Sequence, residues 1–218
     1  MSHVIKIRNE AKADYKKVED ITRKAFWNLY VPGCDEHYLV HVMRFHKDFL
    51  SELDFVIEAD GEVIGNIMYT KAKLVDESME EKEILTFGPV CIMPEYQIMG
   101  YGKMLLQYSF ERAARLGYDT IVIFGSPSNY VSSGFKSCKK YNICLENGTF
   151  PTAMLVKELK PKAIDGRKWF YFQSSVMDID EVEAERFNQN LELFEKNTQS
   201  SQEEFYILSH SVIGGTGV

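Results

Sequence analysis

The residues of this chain whose types and spacing could do chemistry begin with Gly100 and Gly102, inside the run Gln97-Ile98-Met99-Gly100-Tyr101-Gly102. An apolar, β-branched stretch (Ile84, Leu85, Phe87, Val90, Ile92) precedes the run, Pro94 interrupts it, and an amphipathic pattern follows. This reads as a buried strand, a glycine turn and a helix start. The first amides of a helix have no intrahelical acceptor and carry the positive end of its dipole, so such a turn suits phosphate oxygens. Without a Cβ at 100 and 102 a pyrophosphate can come close to those donors. Two familiar phosphate loops fail the spacing. A Walker-type loop needs glycine where Gln97 stands and Ser or Thr where Met104 stands; a dinucleotide fingerprint needs a third glycine at Leu105, and Asp119 precedes the next strand instead of ending it.

The elements that must position this turn follow from periodicity. Val4 to Arg8 alternates as a strand, and a helix from Asn9 or Asp14 to about Trp27 gathers Tyr15, Val18, Ile21, Ala25 and Phe26 on one face. A second helix from Asp35 has Tyr38-Leu39, Val42-Met43 and Phe45 to Phe49 as its buried stripe. Asp54 to Ala59 and Val63 to Tyr69 make a hairpin about Asp60-Gly61, and the charged segment from Thr70 to Lys82 reads as an exposed connection. Lys103 to Leu116 is a helix, with Met104, Leu105, Tyr108, Ala113 and Leu116 inward. Thr120 to Phe124 is the kind of apolar strand that is buried in a parallel pair, which makes strand, helix and strand one right-handed unit. Cys138 to Leu145 and Ala153 to Leu159 read as a second antiparallel pair.

Past Pro161 the composition shifts, to a strand-like run from Gly166 to Gln173, an acidic helix from Asp178 to Lys196 and a polar loop from Asn197 to Glu204. The chain therefore divides into a domain of residues 1–160 and an extension of residues 161–218 that packs on the domain, or forms a lid or a dimer contact.

With 218 residues, 45% of them hydrophobic, the chain can bury one substantial core. It carries no apolar run of about 18 residues and no apolar leader at its start, so a soluble, cytoplasmic protein with no membrane partner is expected. A net charge of -7 and a pI near 5.3 argue against nucleic acid and favour a cationic ligand. The four cysteines, Cys34, Cys91, Cys138 and Cys144, form no CxxC pair. His37 and His41 stand at i, i+4 without HExxH or a third ligand, so they and His46 read as ordinary surface histidines and no metal is expected.

The complete pattern from Gln97 to Gly102, flanked by Gly88-Pro89-Val90 and Pro94-Glu95-Tyr96, resembles the acetyl-coenzyme A loop of the GNAT superfamily of N-acetyltransferases, and its wording is that of the YhbS-like branch. The resemblance covers about Val4 to Leu159 and implies an α/β fold: a mixed, partly antiparallel sheet flanked by helices, whose central parallel strands splay around the acyl-pantetheine arm. It implies acetyl-CoA as co-substrate and a small-molecule or peptide amine as acceptor. Backbone amides of Met99 to Lys103, with Gln97 and Ile98 at the start of the loop, would hold the pyrophosphate, and the edge at Val90, Cys91 and Ile92 would hold the pantetheine amides. Tyr130, four residues before Gly134-Phe135, has the family's spacing for the tyrosine beside the coenzyme sulfur; in that branch an aromatic often stands where Asn129 is. The amine must also lose a proton, and Glu36, Glu83 or a water chain could take it. An acyl intermediate on Cys91 has nothing nearby in sequence to activate the thiol. A non-catalytic acyl-CoA sensor is the alternative to an enzyme.

Overall fold

The structure, a computed structural model, describes residues 3–214, so the last four residues of the extension lie outside the described part. Its centre is a nine-stranded sheet. β1 (Ile5–Asn9), β2 (Phe55–Ala59), β3 (Glu62–Asp76) and β4 (Glu81–Ile92) pair antiparallel in chain order. β4 then meets β5 (Thr120–Phe124) in parallel, and β5 continues antiparallel to β8 (Met154–Glu158), which pairs with β6 (Lys136–Ser137). The turn between β2 and β3 has Asp60 and Gly61 at φ of 52° and 86°, the positive values that a tight two-residue hairpin requires.

Helices cover both faces. α1 (Tyr15–Phe26) reaches Asn66 of β3 through the Thr22 hydroxyl, whereas α3 (Tyr101–Arg115) reaches Tyr69 on the opposite face, where the phenol and Ser109 Oγ are 2.7 Å apart. Val18 and Ile21 from α1 and Leu105, Leu106 and Phe110 from α3 join β2 to β5 in one core. Met104 and Leu116, expected inward, are 46% and 53% exposed, because the buried stripe of α3 runs through Leu105, Ser109 and Ala113 instead.

Residues 70–82 are not an exposed connection. β3 and β4 stay paired as far as Val75 and Glu81, with Ala72 and Leu74 buried beneath a solvent face on which Lys71 meets Glu83 at 3.0 Å and Lys73 meets Glu81 at 2.6 Å. The alternation is that of a half-buried strand, and the charges hid it. α2 (Glu36–Met43) is shorter than the periodicity suggests, and Phe45 is 79% exposed, because the chain turns there to bring the Leu50 amide to the Tyr69 carbonyl. Cys138 to Tyr141 forms a helical turn, not a strand. Only β7 (Ile143–Cys144) is extended, and it pairs with β9 (Trp169–Phe172) while β8 takes the free edge of β5.

The extension lies across the domain. β9 adds to the distal half of β3, burying Trp169 and Tyr171. α5 (Glu181–Asn188), capped by Asp180 Oδ1 accepting the Val182 and Glu183 amides, packs Phe187 against His37, Tyr38 and His41. The Glu192 carbonyl then accepts from Arg23, and the Glu195 carbonyl from Trp27 and Asn28. α6 (Ser200–His210) begins inside the stretch expected to be loop; its Phe205 stacks on Tyr30 at 4.7 Å, an anchor that helical propensity alone does not report. No helix among the described residues is long and apolar enough to cross a membrane.

Candidate functional site

The register between β3 and β4 explains why the sheet opens. Ile67 pairs with Val90 and Tyr69 with Phe87, so two steps on β3 face three on β4, and β4 carries an extra residue about Gly88-Pro89. A bulge of this kind bends its strand away from the ladder. On its other side β4 pairs with β5 only at Leu85 and Ile121, after which β5 follows β8. Among the described residues, the edge of β4 from Phe87 to Ile92 therefore has no strand neighbour on that side. A cleft of about 230 Å³ fills the gap, lined by Val90, Cys91 and Ile92 on one wall, Gly102 and Lys103 at one end, and Asn129 and Tyr130 opposite.

At the first end, Gly100 takes φ of 88° and starts α3, whose first intrahelical bond runs from the Met104 amide to the Gly100 carbonyl. The amides of Tyr101, Gly102 and Lys103 are thus left for an external acceptor, as at any helix start. Gln97 contributes differently from a phosphate ligand: its side-chain amide donates to the Ile92 carbonyl at 3.0 Å and ties the turn to the end of β4. Ile98 stands at φ of 66°, fully exposed, an unusual conformation for a β-branched residue and of the sort found at functional loops.

Across the cleft, α4 (Pro127–Tyr130) delivers Tyr130, whose ring is held between Phe87 and Phe135 at centroid distances of 5.8 and 5.7 Å. The ring lies directly over Gly125, where a Cβ would come within 2.5 Å of Tyr130 Cε2. Burial pushes the phenol up, with the charge of Tyr30 adding to it, so at neutral pH Tyr130 is a neutral hydrogen-bond donor.

A cleft with free helix-start amides at one end and a fixed phenol at the other is the setting for the comparisons with known proteins. The model of the acetyltransferase (GNAT) family matches residues 22–135, more than half of the chain. The chain belongs to the GNAT acetyltransferase family. A protein of Escherichia coli K12 described as the uncharacterized N-acetyltransferase YjhQ is 29% identical over 127 residues, which is 58% of this chain and 67% of that one. Among solved structures, the E. coli GNAT-family N-acetyltransferase YhbS in complex with CoA superposes with a TM-score of 0.70 at 21% identity, covering 82% of this chain and 94% of that one. A GNAT acetyltransferase of Brucella melitensis in complex with acetyl-CoA gives 0.62 at 22% identity, over 81% and 100% of the two chains. The GNAT fold, a mostly antiparallel sheet with β4 and β5 as its central parallel pair, is the fold observed; the short β7 adds a second parallel pairing with β9.

For the remaining residues of this GNAT protein the geometry separates what spacing could not. Glu83 does not join the cleft: it precedes the single β4 to β5 contact, is exposed, and pairs with Lys71 on the outer face. Glu36, at the start of α2, is desolvated, which pushes its carboxyl up to about 7; the neighbouring Tyr30 phenol is pushed up first by burial and then by the Glu36 charge. Cys91 contributes its backbone to the cleft wall while its thiol is buried, 2.9 Å from Asn66 Oδ1. Burial pushes that thiol up to about 11, opposite to what a nucleophile needs.

His37 is no surface histidine. It is fully buried between Asn188 at 2.7 Å and Cys34 at 3.5 Å, and desolvation lowers it to about 4. His41 lies against Glu19 and Phe187, and His46 against Ser174. Arg44 is spent on structure, buried with Glu10 at 2.7 Å and Glu19 at 2.9 Å.

Sequence reasoning missed Gly125, Tyr30 and a second cavity. Next to the cleft, and sharing Asn129 with it, is a chamber of about 640 Å³ between the α1 to α2 loop, the end of β5 and α6. The composition shift past Pro161 marks the extension, but nothing in the polar stretch around Ser200 marks α6 as a wall.

Proposed function

We propose that this protein transfers an acetyl group from acetyl-CoA to a primary amine by direct attack in a ternary complex. The observation that carries the reading is the open edge of β4 running from the amides at the start of α3 to the Tyr130 phenol, a track with an anion site at one end and a proton donor at the other. The solved GNAT structures that share the fold hold CoA and acetyl-CoA, and acetyl-CoA is the co-substrate assigned here. Backbone groups at Val90 to Ile92 would pair with the pantetheine amides as an added strand does, and the Tyr101, Gly102 and Lys103 amides would take the pyrophosphate.

In the transfer, the amine nitrogen forms a bond to the thioester carbonyl carbon, the C–S bond breaks, and coenzyme A leaves as its thiol. Tyr130 supplies a hydrogen bond or proton to the departing sulfur. The amine arrives protonated, and Glu36, held near neutrality, is the group suited to take its proton through the Tyr30 side of the chamber. Residues 1–160 carry this chemistry, and the extension shapes the acceptor side. Calorimetry with acetyl-CoA and CoA tests the reading, with binding expected in the roughly micromolar to submillimolar range usual for such co-substrates. Amine-dependent thiol release then separates an enzyme from a binding module. Absence of any affinity for either coenzyme form would refute the proposal.

A further inference from the structure

We propose that the chamber walled by α6 is the acceptor site and that it selects a primary amine attached to a compact apolar or aromatic body. The inference rests on the acetyl-transfer reading and names the substrate class of that site. The chamber meets the thioester cleft at Asn129, so an amine entering it from the chamber side arrives beside Tyr130. At about 640 Å³ it is within the size range of cavities that enclose a whole small molecule.

The wall chemistry sets the class. Leu29, Tyr30, Phe124, Leu145, Phe205 and Leu208 give an apolar surface from four separate parts of the chain. Phe124 and Phe205 are 47% and 37% exposed, large apolar side chains left open where the chamber lies. Among the described residues, Glu204 is the one charged side chain on the wall, so the sign favours a cation over a carboxylate or phosphate. A polyamine would bring several ammonium groups to a wall with one carboxylate, the rest meeting serine hydroxyls, leucine and phenylalanine without a counter-charge. A long acyl chain on the coenzyme would instead leave Glu204 against hydrocarbon. An ammonium on an apolar body satisfies both features.

The test uses the full chain loaded with CoA, titrated by calorimetry with 2-phenylethylamine and with spermidine. Transfer from acetyl-CoA to both amines and to a lysine-containing peptide is measured in parallel. The expected result is that 2-phenylethylamine binds, with kcat/KM at least about tenfold above the other two. Phe205→Ala lowers that kcat/KM by roughly tenfold or more while the affinity for acetyl-CoA is unchanged. Glu204→Gln, an exposed change that leaves the fold intact, raises KM up to about fivefold with kcat retained.

Preference for spermidine or the peptide overturns the inference, as does failure of 2-phenylethylamine to bind or its indifference to Phe205→Ala. A gain in rate with hexanoyl-CoA over acetyl-CoA, without any preference for the apolar amine, assigns the chamber to the acyl chain and overturns it as well. Binding of 2-phenylethylamine that Phe205→Ala weakens, with no transfer to any amine, leaves the chamber assignment standing and sinks the acetyltransferase reading, so the two failures are distinct.

Discussion

Gly125→Ala is the sharpest test of whether the position of Tyr130, not merely its presence, matters. An alanine Cβ would sit 2.5 Å from Tyr130 Cε2 and 3.0 Å from Cδ2. Carbon atoms in contact prefer about 3.5–4.0 Å, so the ring has to retreat by roughly 1 Å. Phe87 and Phe135 already pack against it at 5.8 and 5.7 Å, which leaves tilting toward the cleft as the way out. Gly125 has no left-handed backbone angle, so the substitution acts through this contact and leaves the turn itself unstrained.

A displacement of about 1 Å in a positioned group costs up to about 10² in rate. The phenol itself is worth roughly 10² to 10⁴ as an acid. Steady-state thiol release should therefore show kcat down about 10²-fold in Gly125→Ala, with the calorimetric Kd for acetyl-CoA little changed. In a Tyr130→Phe background the same substitution should cost far less, because both changes remove one interaction. A Gly125→Ala enzyme with full kcat, or a loss that simply adds to that of Tyr130→Phe, would refute the role given to the phenol.

Three other outcomes follow from the buried titratable groups. With Glu36 held at about 7 and required as the base, kcat/KM should fall about tenfold per unit below that pH, and Glu36→Gln should remove this limb together with about 10² to 10⁴ of the rate; a wild-type profile flat to about pH 5 would exclude the role. Because the Cys91 thiol is held protonated beside Asn66, intact-mass spectrometry after incubation with acetyl-CoA alone should find no acetyl group on Cys91; a stoichiometric adduct there would point to a covalent route. Asp54 is pushed up to about 9, first by burial and then by Glu10, whereas an unfolded aspartate ionises near about 4. Between those values the native state binds the extra proton, so stability should fall as pH rises from about 4 to about 9. Asp54→Asn should flatten that slope in urea denaturation, and an unchanged slope would place the proton elsewhere.

How much of this was legible in the sequence depends on whether the signal is local. The turn at Gly100 and Gly102 was readable because backbone donors at a helix start are a local consequence of residue order, and Val90, Cys91, Ile92, Gly102, Lys103, Asn129 and Tyr130 line one cleft. Glu36 and Glu83 looked equivalent because a carboxylate's surroundings are non-local. One is desolvated beside Tyr30, and the other is paired in solvent with Lys71, a residue of the neighbouring strand. His37 looked exposed because Asn188, its partner, lies 151 positions away. The segment from Thr70 to Lys82 was misread for a different reason. Its lysines and glutamates mark only the outer face of a hairpin, and the inner face packs Ala72, Leu74 and Ile84 into a cluster with Met154, Ile164 and Trp169, which come far later in the chain.

Asn28 explains how the least legible part of the chain is tied to the loop that carries Tyr30. It is 5% exposed at φ of 62°, a left-handed position that asparagine tolerates, and it ends the run of α1 just before Tyr30. Its side-chain oxygen accepts from the Gly33 amide at 2.8 Å and the Asn197 amide at 3.2 Å, its side-chain amide donates to the Glu195 carbonyl, and its own carbonyl accepts from Gln202 on α6. One residue thus satisfies backbone groups of the loop that carries Tyr30 and Glu36 and of the extension that carries Phe205. Because buried polar groups of this sort are costly to leave unpaired, the loop and α6 hold each other in place. The stacking of Tyr30 on Phe205 then follows as a consequence of that shared frame, and the chamber wall is set by the same contacts. Under the proposed acceptor assignment, the extension contributes to that site through Phe205 and Leu208 of the chamber wall.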